Sequence, residues 1–269
     1  MKNEAQILIV GYGNVGKHIY KELYGAGEID IYDKHIEGHN VLTNKLYDFA
    51  FVCVPTEMKE DGSADTSIVE EVVNEINAKI IVIKSAIPVC CCKKLMDIAT
   101  FNNRSNVNKN IIVSPEYYGT TIYSPDSPNF LVLGGYKNVA KKVAELYYKV
   151  KPNSFRVYYT DEKTAALAKY MENCFLALKV TFCNEFAMIA KSFGIDYPEL
   201  REIFVLDERM GDSHTFVFPE QPYYDSHCLN KDVPALIKQA KDVDPYFDKS
   251  LMERVLEINQ RMKEKYKND

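Results

Sequence analysis

The chain has 269 residues, 46% of them apolar and 26% charged, with a formal net charge of −5. That length suits one large domain or two ordinary ones, with ample apolar material for a core. The acidic balance argues against a nucleic-acid partner, no uninterrupted apolar run approaches membrane-spanning length, and Ile7 to Val10 is too short for the apolar part of a secretion signal. The expected setting is therefore the cytoplasm, with neither a membrane nor a nucleic acid as partner.

Taken in order, the first half alternates short apolar runs with helical patterns, the signature of βαβ units and a parallel sheet. Ile7 to Val10, Ile29 to Tyr32, Phe49 to Val54, Ile80 to Ile83 and Ile111 to Val113 read as buried strands. Phe130 to Leu133 and Phe155 to Tyr159 continue the series. Helical spacing covers Val15 to Tyr24, Thr66 to Asn77 and about Asn138 to Lys149. Seven cysteines are present; Cys90, Cys91 and Cys92 are adjacent and lack the spacing of a zinc site, so free thiols and no metal are expected.

The character changes at Thr160-Asp161. From there to about Phe193 no proline or glycine interrupts the helical pattern, and Gly194 is a fitting stop. Such a helix is on the order of 50 Å long. Its apolar residues (Leu167, Phe175, Leu176, Val180, Phe182, Phe186, Ile189) cover more than one stripe, which points to a partner on one side, most simply a second copy of the chain. Pro198 to Leu206 and Pro245 to Tyr266 read as further helices. The predicted architecture is α/β: an N-terminal Rossmann-type parallel-sheet domain over residues 1–160, then an all-helical central domain over 161–269.

Gly11, Gly13 and Gly16 form G-x-G-x-x-G between the first strand and the first helix. The first glycine permits the tight turn, the second admits a pyrophosphate against the backbone, and the third lets helix and strand close up. The helix N-terminus then offers free N–H groups to the phosphates. Asp33 ends the second strand, 20 residues after Gly13, where a carboxylate takes ribose hydroxyls and repels a 2′-phosphate. The reading is a dinucleotide site that prefers NAD to NADP.

Lys169 and Asn173 stand four residues apart on the long helix and share a face. By themselves they are unremarkable, but they occur within an ordered series of short motifs. The series runs Gly11-Tyr12-Gly13-Asn14-Val15-Gly16, Val52-Cys53-Val54-Pro55-Thr56, Asp61 to Asp65, Lys84-Ser85-Ala86-Ile87-Pro88-Val89 and Ser114-Pro115-Glu116. It continues through Ala168 to Asn173 with Asn184-Glu185, Arg209-Met210-Gly211 and Cys228-Leu229-Asn230-Lys231-Asp232. From residue 6 to about 265 the sequence resembles the UDP-glucose/GDP-mannose dehydrogenases, which oxidise a sugar alcohol twice to a uronate with two molecules of NAD.

The resemblance implies a homodimer acting on a nucleotide sugar, most simply a UDP-sugar. It makes Cys228 the nucleophile that captures the aldehyde as a thiohemiacetal and carries it to a thioester. Lys169 and Asn173 then stabilise the oxyanion, Asp232 orients Lys169 or a water, and Glu116 is the base for hydrolysis. The glycine turn with Val54, Pro55, Thr56 and Ser85 holds the cofactor, while Arg209 and Lys231 face the substrate. This mechanism requires Cys228, Lys169 and Asn173 to meet.

Departures from the family pattern accompany the matches. Ala86 stands where a threonine is usual, Thr120 where a second glutamate is usual, and Tyr223 to His227 replace a glycine-rich stretch before the cysteine. Glycines there let backbone hug the substrate, so weak or no turnover of plain UDP-glucose is expected. His227 beside the thiol is a candidate to lower its pKa. The sequence also ends where the family continues into a further nucleotide-binding domain. Two other readings stay open: a two-domain β-hydroxyacid dehydrogenase, which shares a Lys-x-x-x-Asn helix and needs no cysteine, and a non-catalytic NAD-binding regulator.

Overall fold

The computed structural model describes residues 4–101, 109–118, 128–247 and 249–267. Thr120 lies outside them. The chain divides into two compact units, Met1–Glu57 with Ala64–Lys169, and Met58–Ser63 with Tyr170–Asp269, so the contact boundary falls inside the long helix.

The first unit carries β1 (Ala5–Val10), α1 (Asn14–Glu22), β2 (Gly27–Tyr32), β3 (Tyr47–Val52), α2 (Ser67–Glu75) and β4 (Ala78–Ile83). It continues with α3 (Val89–Phe101), β5 (Asn110–Val113), β6 (Phe130–Gly134), α4 (Lys137–Tyr148) and β7 (Arg156–Thr160). One seven-stranded sheet results, ordered β2-β1-β3-β4-β5-β6-β7. The central strands β1, β3, β4 and β5 are mostly buried on both faces, which is why they read as unbroken apolar runs. β2 and β7, at the two edges, are only partly buried, so the expected burial of Ile29 to Tyr32 is not met. Ile7, Ile9, Ile80 and Val82 enter the core on one face, with residues of α1 and α4. Leu8, Val10, Ile81 and Ile83 enter the other, with residues of α2 and α3.

The sheet is parallel from β2 through β5, as expected, and so is the β6–β7 pair; only the β5–β6 contact, through the Val113–Gly134 pair, is antiparallel. One strand boundary needs correction: β3 ends at Val52, not Val54, because after the Cys53 N–H, which still donates to the Val10 carbonyl at 2.7 Å, the chain through Thr56 is no longer strand. The passage from β2 to β3, residues 33–46, contains turns but no helix.

The second unit is helical. α5 (Glu162–Ser192) enters it from the first unit and is followed by α6 (Tyr197–Phe204), α7 (His227–Val243) and α8 (Leu251–Lys267). Gly194, at φ +69°, ends the α5 stretch as its sequence position suggests. The predicted helix from Pro245 to Tyr266 is broken: Pro245–Phe247 form a 3₁₀ turn, Lys249 takes φ 57°, and α8 starts afresh at Leu251. α5, α7 and α8 surround a core of Cys174, Ala177, Tyr224, Leu229, Val233 and Val255. By length and composition alone α5 is also apolar enough to span a membrane, with 39% of that window buried inside the chain.

Beside the sheet, the first unit buries a network of charges. Lys151 bonds to Glu22 across 129 residues of sequence. Lys84 Nζ lies 3.1 Å from Glu116 Oε2, with the two side chains 2% and 7% exposed. Burial alone would raise the Glu22 carboxyl, but the His18 contact, the Lys151 hydrogen bond and the charge of Lys84 outweigh it and hold the group at about 2, against 4.5 ordinarily. A value depressed by folding contributes stability that is complete above pH 4.5 and lost as the pH falls toward about 2. Glu22→Gln should therefore lower stability at neutral pH, by an amount on the order of 3 kcal/mol. It should also flatten the loss of stability in acid. Urea unfolding of both proteins at neutral pH and in acid checks this; equal acid sensitivity would refute it.

Candidate functional site

The glycine turn is built as its spacing requires. Gly11 adopts φ +85°, and a Cβ there would lie 2.9 Å from the Cys53 carbonyl oxygen. A Cβ on Gly16 would fall 2.0 Å from the Gly11 carbonyl oxygen, so only glycine lets α1 close onto the turn. At Gly13 the same atom would meet nothing within 4 Å. That open side, at the N-terminus of α1, is where a pyrophosphate fits.

Asp33 follows β2 directly. Its Oδ2 accepts the Tyr12 N–H at 2.7 Å and its Oδ1 accepts the His35 N–H at 2.9 Å. Burial tends to raise this carboxyl, but the two backbone bonds prevail and hold it below the ordinary range. It stays an anion, with lone pairs left for ribose hydroxyls. Beside it opens a cavity of about 250 Å³ whose lining combines apolar Val54, Pro55, Ile68 and Val72 with Gly11 and Asp33, among others. An adenosine fits these surroundings, so the residues present suit NAD.

The remaining expected cofactor residues do structural duty first. Thr56 Oγ1 donates to the Ala86 carbonyl at 2.9 Å, and Ser85 Oγ donates to the Val54 carbonyl at 2.6 Å. These crossed bonds tie the turns after β3 and β4 to each other.

Glu116 is buried. Its Oε1 accepts the N–H groups of Tyr117 and Tyr118, each at 2.9 Å, while Oε2 faces Lys84 as an ion pair without an aligned hydrogen bond. Tyr118 stacks on His18 with ring centroids 4.3 Å apart. The ligand atoms of His18, Glu22 and Glu116 come within 4.8 Å of one another, as metal ligands do. Two lysine ammonium groups already neutralise those carboxylates, however, and a divalent ion added there would leave a large unpaired buried charge. Lys169 Nζ sits 4.9 Å from the centroid of the Tyr117 ring.

In the second unit, three expected residues form one buried chain. Asn173 Nδ2 donates to Asp232 Oδ2 at 2.6 Å, and Lys231 Nζ donates to Asp232 Oδ1 at 2.6 Å. Asp232 is 1% exposed. It thus holds the Asn173 amide in a fixed rotamer, and Lys231 supplies the charge that makes its burial tolerable. Cys228 lies one turn before Asp232 in α7 and is exposed. Ser226 caps that helix, its Oγ accepting the Leu229 N–H at 3.3 Å. Burial pushes Cys92 and Cys174 up to about 12, which removes them as nucleophiles. Arg209 is exposed and paired to Asp207, with Nε 2.9 Å from Oδ1.

Sequence reasoning missed His18, Glu22, Lys151 and Tyr117. A histidine and glutamate four apart on the dinucleotide helix were a visible signal for the first two. Nothing local marked Lys151, whose partner is remote in sequence.

Comparison with known proteins finds relatives of both units. The NAD binding domain of the UDP-glucose/GDP-mannose dehydrogenase family matches residues 30–151, and the family's central domain matches residues 163–261. UDP-glucose 6-dehydrogenase of Rickettsia bellii is 30% identical over 217 residues, covering 78% of this chain and 48% of that protein. TuaD of Bacillus subtilis, a UDP-glucose 6-dehydrogenase, is 27% identical over 90% of this chain and 54% of its own length. The chain thus spans about half the length of these curated relatives. Among solved structures, a UDP-glucose dehydrogenase from Pyrobaculum islandicum superposes with TM-score 0.80 at 22% identity, covering 96% of this chain and 68% of that one. Mycobacterium tuberculosis 3-hydroxyisobutyrate dehydrogenase shares the fold at TM-score 0.71 and 14% identity, covering 96% of this chain and 93% of that one. With the two domain matches in chain order, and a glycine turn and acid that fit the cofactor in the first unit, the chain belongs to the UDP-glucose/GDP-mannose dehydrogenase family, with an NAD-binding first unit.

Proposed function

We propose that the chain is an NAD-dependent oxidoreductase that converts the primary alcohol of a nucleotide sugar, most simply a UDP-sugar, to a carboxylate through a covalent cysteine intermediate. One observation carries the reading: exposed Cys228 and buried Asp232 lie one turn apart on α7, and Asp232 fixes Asn173. NAD, when bound, supplies the hydride acceptor that no side chain can provide, once for each of the two oxidations.

The chain's residues do the rest. The Cys228 sulfur adds to the aldehyde carbon, and the resulting alkoxide is stabilised by the Asn173 amide and the Lys169 ammonium. Loss of the second hydride leaves a thioester on Cys228. Water then adds to its carbonyl while Glu116 takes the proton, and the carbon–sulfur bond breaks to give carboxylate and thiolate. Oε2 of Glu116, the oxygen without an aligned hydrogen bond, is the one suited to that proton. Lys231 and Arg209 complete the substrate side, and Thr56 and Ser85 shape the cofactor side.

The reading includes a homodimer. On α5, Met171, Phe175, Phe182, Phe186 and Ile189, and Phe193 just past its end, are 41–77% exposed and recur at spacings of three, four and seven. That spacing makes one apolar seam along the helix, the pattern of a helix that docks on another. Light scattering at micromolar concentration should give twice the 30.8 kDa chain mass. A monomeric mass would reject this part of the reading.

A second reading is a β-hydroxyacid dehydrogenase on a smaller substrate, favoured by the near-complete overlap with a hydroxyisobutyrate dehydrogenase fold. Cys228→Ser separates the two. Under the covalent reading, NADH formation across a panel of UDP-sugars is expected to fall at least about 1,000-fold, with NAD affinity kept within about twofold. Oxidation of β-hydroxyacids undiminished by the substitution would favour the second reading.

A further inference from the structure

The segment before Cys228 carries Tyr223, Tyr224 and Asp225 where the family pattern has glycines, and all three are held by a single helix, α8. Tyr224 is 4% exposed, so its backbone groups need partners inside the unit. Asn259 of α8, 3% exposed, supplies both. Its Oδ1 accepts the Tyr224 N–H at 2.8 Å, and its Nδ2 donates to the Tyr224 carbonyl at 3.1 Å. This pairing also fixes which end of the amide is oxygen, because the N–H can only donate and the carbonyl can only accept.

One turn further along α8, Lys263 pairs with Asp225 and lies 5.9 Å from the centroid of the Tyr223 ring. Asp225 also accepts from Asn230 Nδ2 at 2.7 Å, which closes the loop back onto α7. The next residue is Ser226, the cap of α7, and Cys228 stands two residues beyond it. The chain from Tyr223 to Cys228 is therefore tied at nearly every residue before a substrate arrives.

From this geometry we propose that Asn259 is a positioning residue for Cys228. Its side chain holds the backbone of Tyr224 as a neighbouring strand would, and thereby fixes the cap and first turn of the cysteine-bearing helix. A glycine-rich loop takes its shape against its ligand; this loop takes its shape from α8. The cysteine is set in advance, and the Asp225–Lys263 pair stands at the rim of the segment that leads to it. The proposal rests on Cys228 as the nucleophile, but the clamp itself is read without turnover.

Two substitutions test it. Asn259→Ala removes both bonds. Asn259→Asp keeps both while its carboxyl is protonated, since that group donates and accepts like the amide, and loses the donor once it ionises. A carboxyl buried at this 3% exposed position, with one oxygen against the Tyr224 carbonyl, is expected to hold its proton well above the ordinary carboxylate range. Amide hydrogen exchange over residues 224–229, and modification of Cys228 by a pyridyl disulfide followed by peptide mass spectrometry, are compared with wild type at about pH 8 and pH 5. At the higher pH both variants should exchange about tenfold faster, and their Cys228 modification rates should differ from wild type by at least about threefold. At the lower pH Asn259→Asp should return to within about twofold of wild type, while Asn259→Ala does not. Wild-type behaviour of both variants at both pH values, or displacement of Asn259→Asp that ignores pH, would overturn the proposal. If Asn259→Ala does not fold, the pH dependence of Asn259→Asp decides alone. Failure of the covalent reading shows separately, as activity surviving Cys228→Ser.

Discussion

The first unit depends on how closely α1 approaches the turn that follows β1. A side-chain atom on Gly16 would fall 2.0 Å from the Gly11 carbonyl oxygen, which no repacking accommodates. With glycine there, the helix N-terminus reaches the end of the strand and its free N–H groups face the space beside Gly13. The same closeness brings the Tyr12 N–H to Asp33 at 2.7 Å and so fixes the carboxylate expected to receive the ribose. Turn, helix and acid form one unit, because each sets the position of the next.

The two units, each taken by itself, handle buried charge in the same way. In the first unit Glu22 has Lys151 and Glu116 has Lys84, and in the second Asp232 has Lys231. Measured against well-packed apolar residues in the same space, such pairs add little, because desolvation cancels much of the attraction. What they supply is definition. Asp232, neutralised by Lys231, orients the Asn173 amide, and Glu116 keeps one oxygen outside any aligned hydrogen bond. Breaking a pair by removing one partner is costly, which ties the geometry of the site to the stability of the fold.

Much of this was legible in the sequence. The central strands of the first unit stood out because both of their faces are largely buried, and the dinucleotide turn because its glycines have steric reasons. Lys169, Asn173 and Asp232 were visible only in the company of the other motifs, since a lysine and an asparagine four apart on a helix are ordinary surface. α3 was missed because its start is the Cys90-Cys91-Cys92 run, which carries no helical period. α7 was missed because Pro234 lies inside it and forfeits a helix bond. The break at Lys249 was hidden because a left-handed lysine has no sequence mark. The clamp of Asn259 on Tyr224 joins residues 35 apart through backbone atoms, which no side-chain pattern reports.

The central claim is that the first unit recognises NAD through the glycine turn and Asp33, and the most direct test is calorimetric titration of the protein with NAD and with NADP. The Asp33 anion should accept the ribose hydroxyls of NAD and repel the 2′-phosphate of NADP, giving at least about tenfold tighter binding of NAD. In Asp33→Ala that preference should shrink mainly through weaker NAD binding. Tighter binding of NADP to the wild-type protein, or no binding of either, would contradict the account.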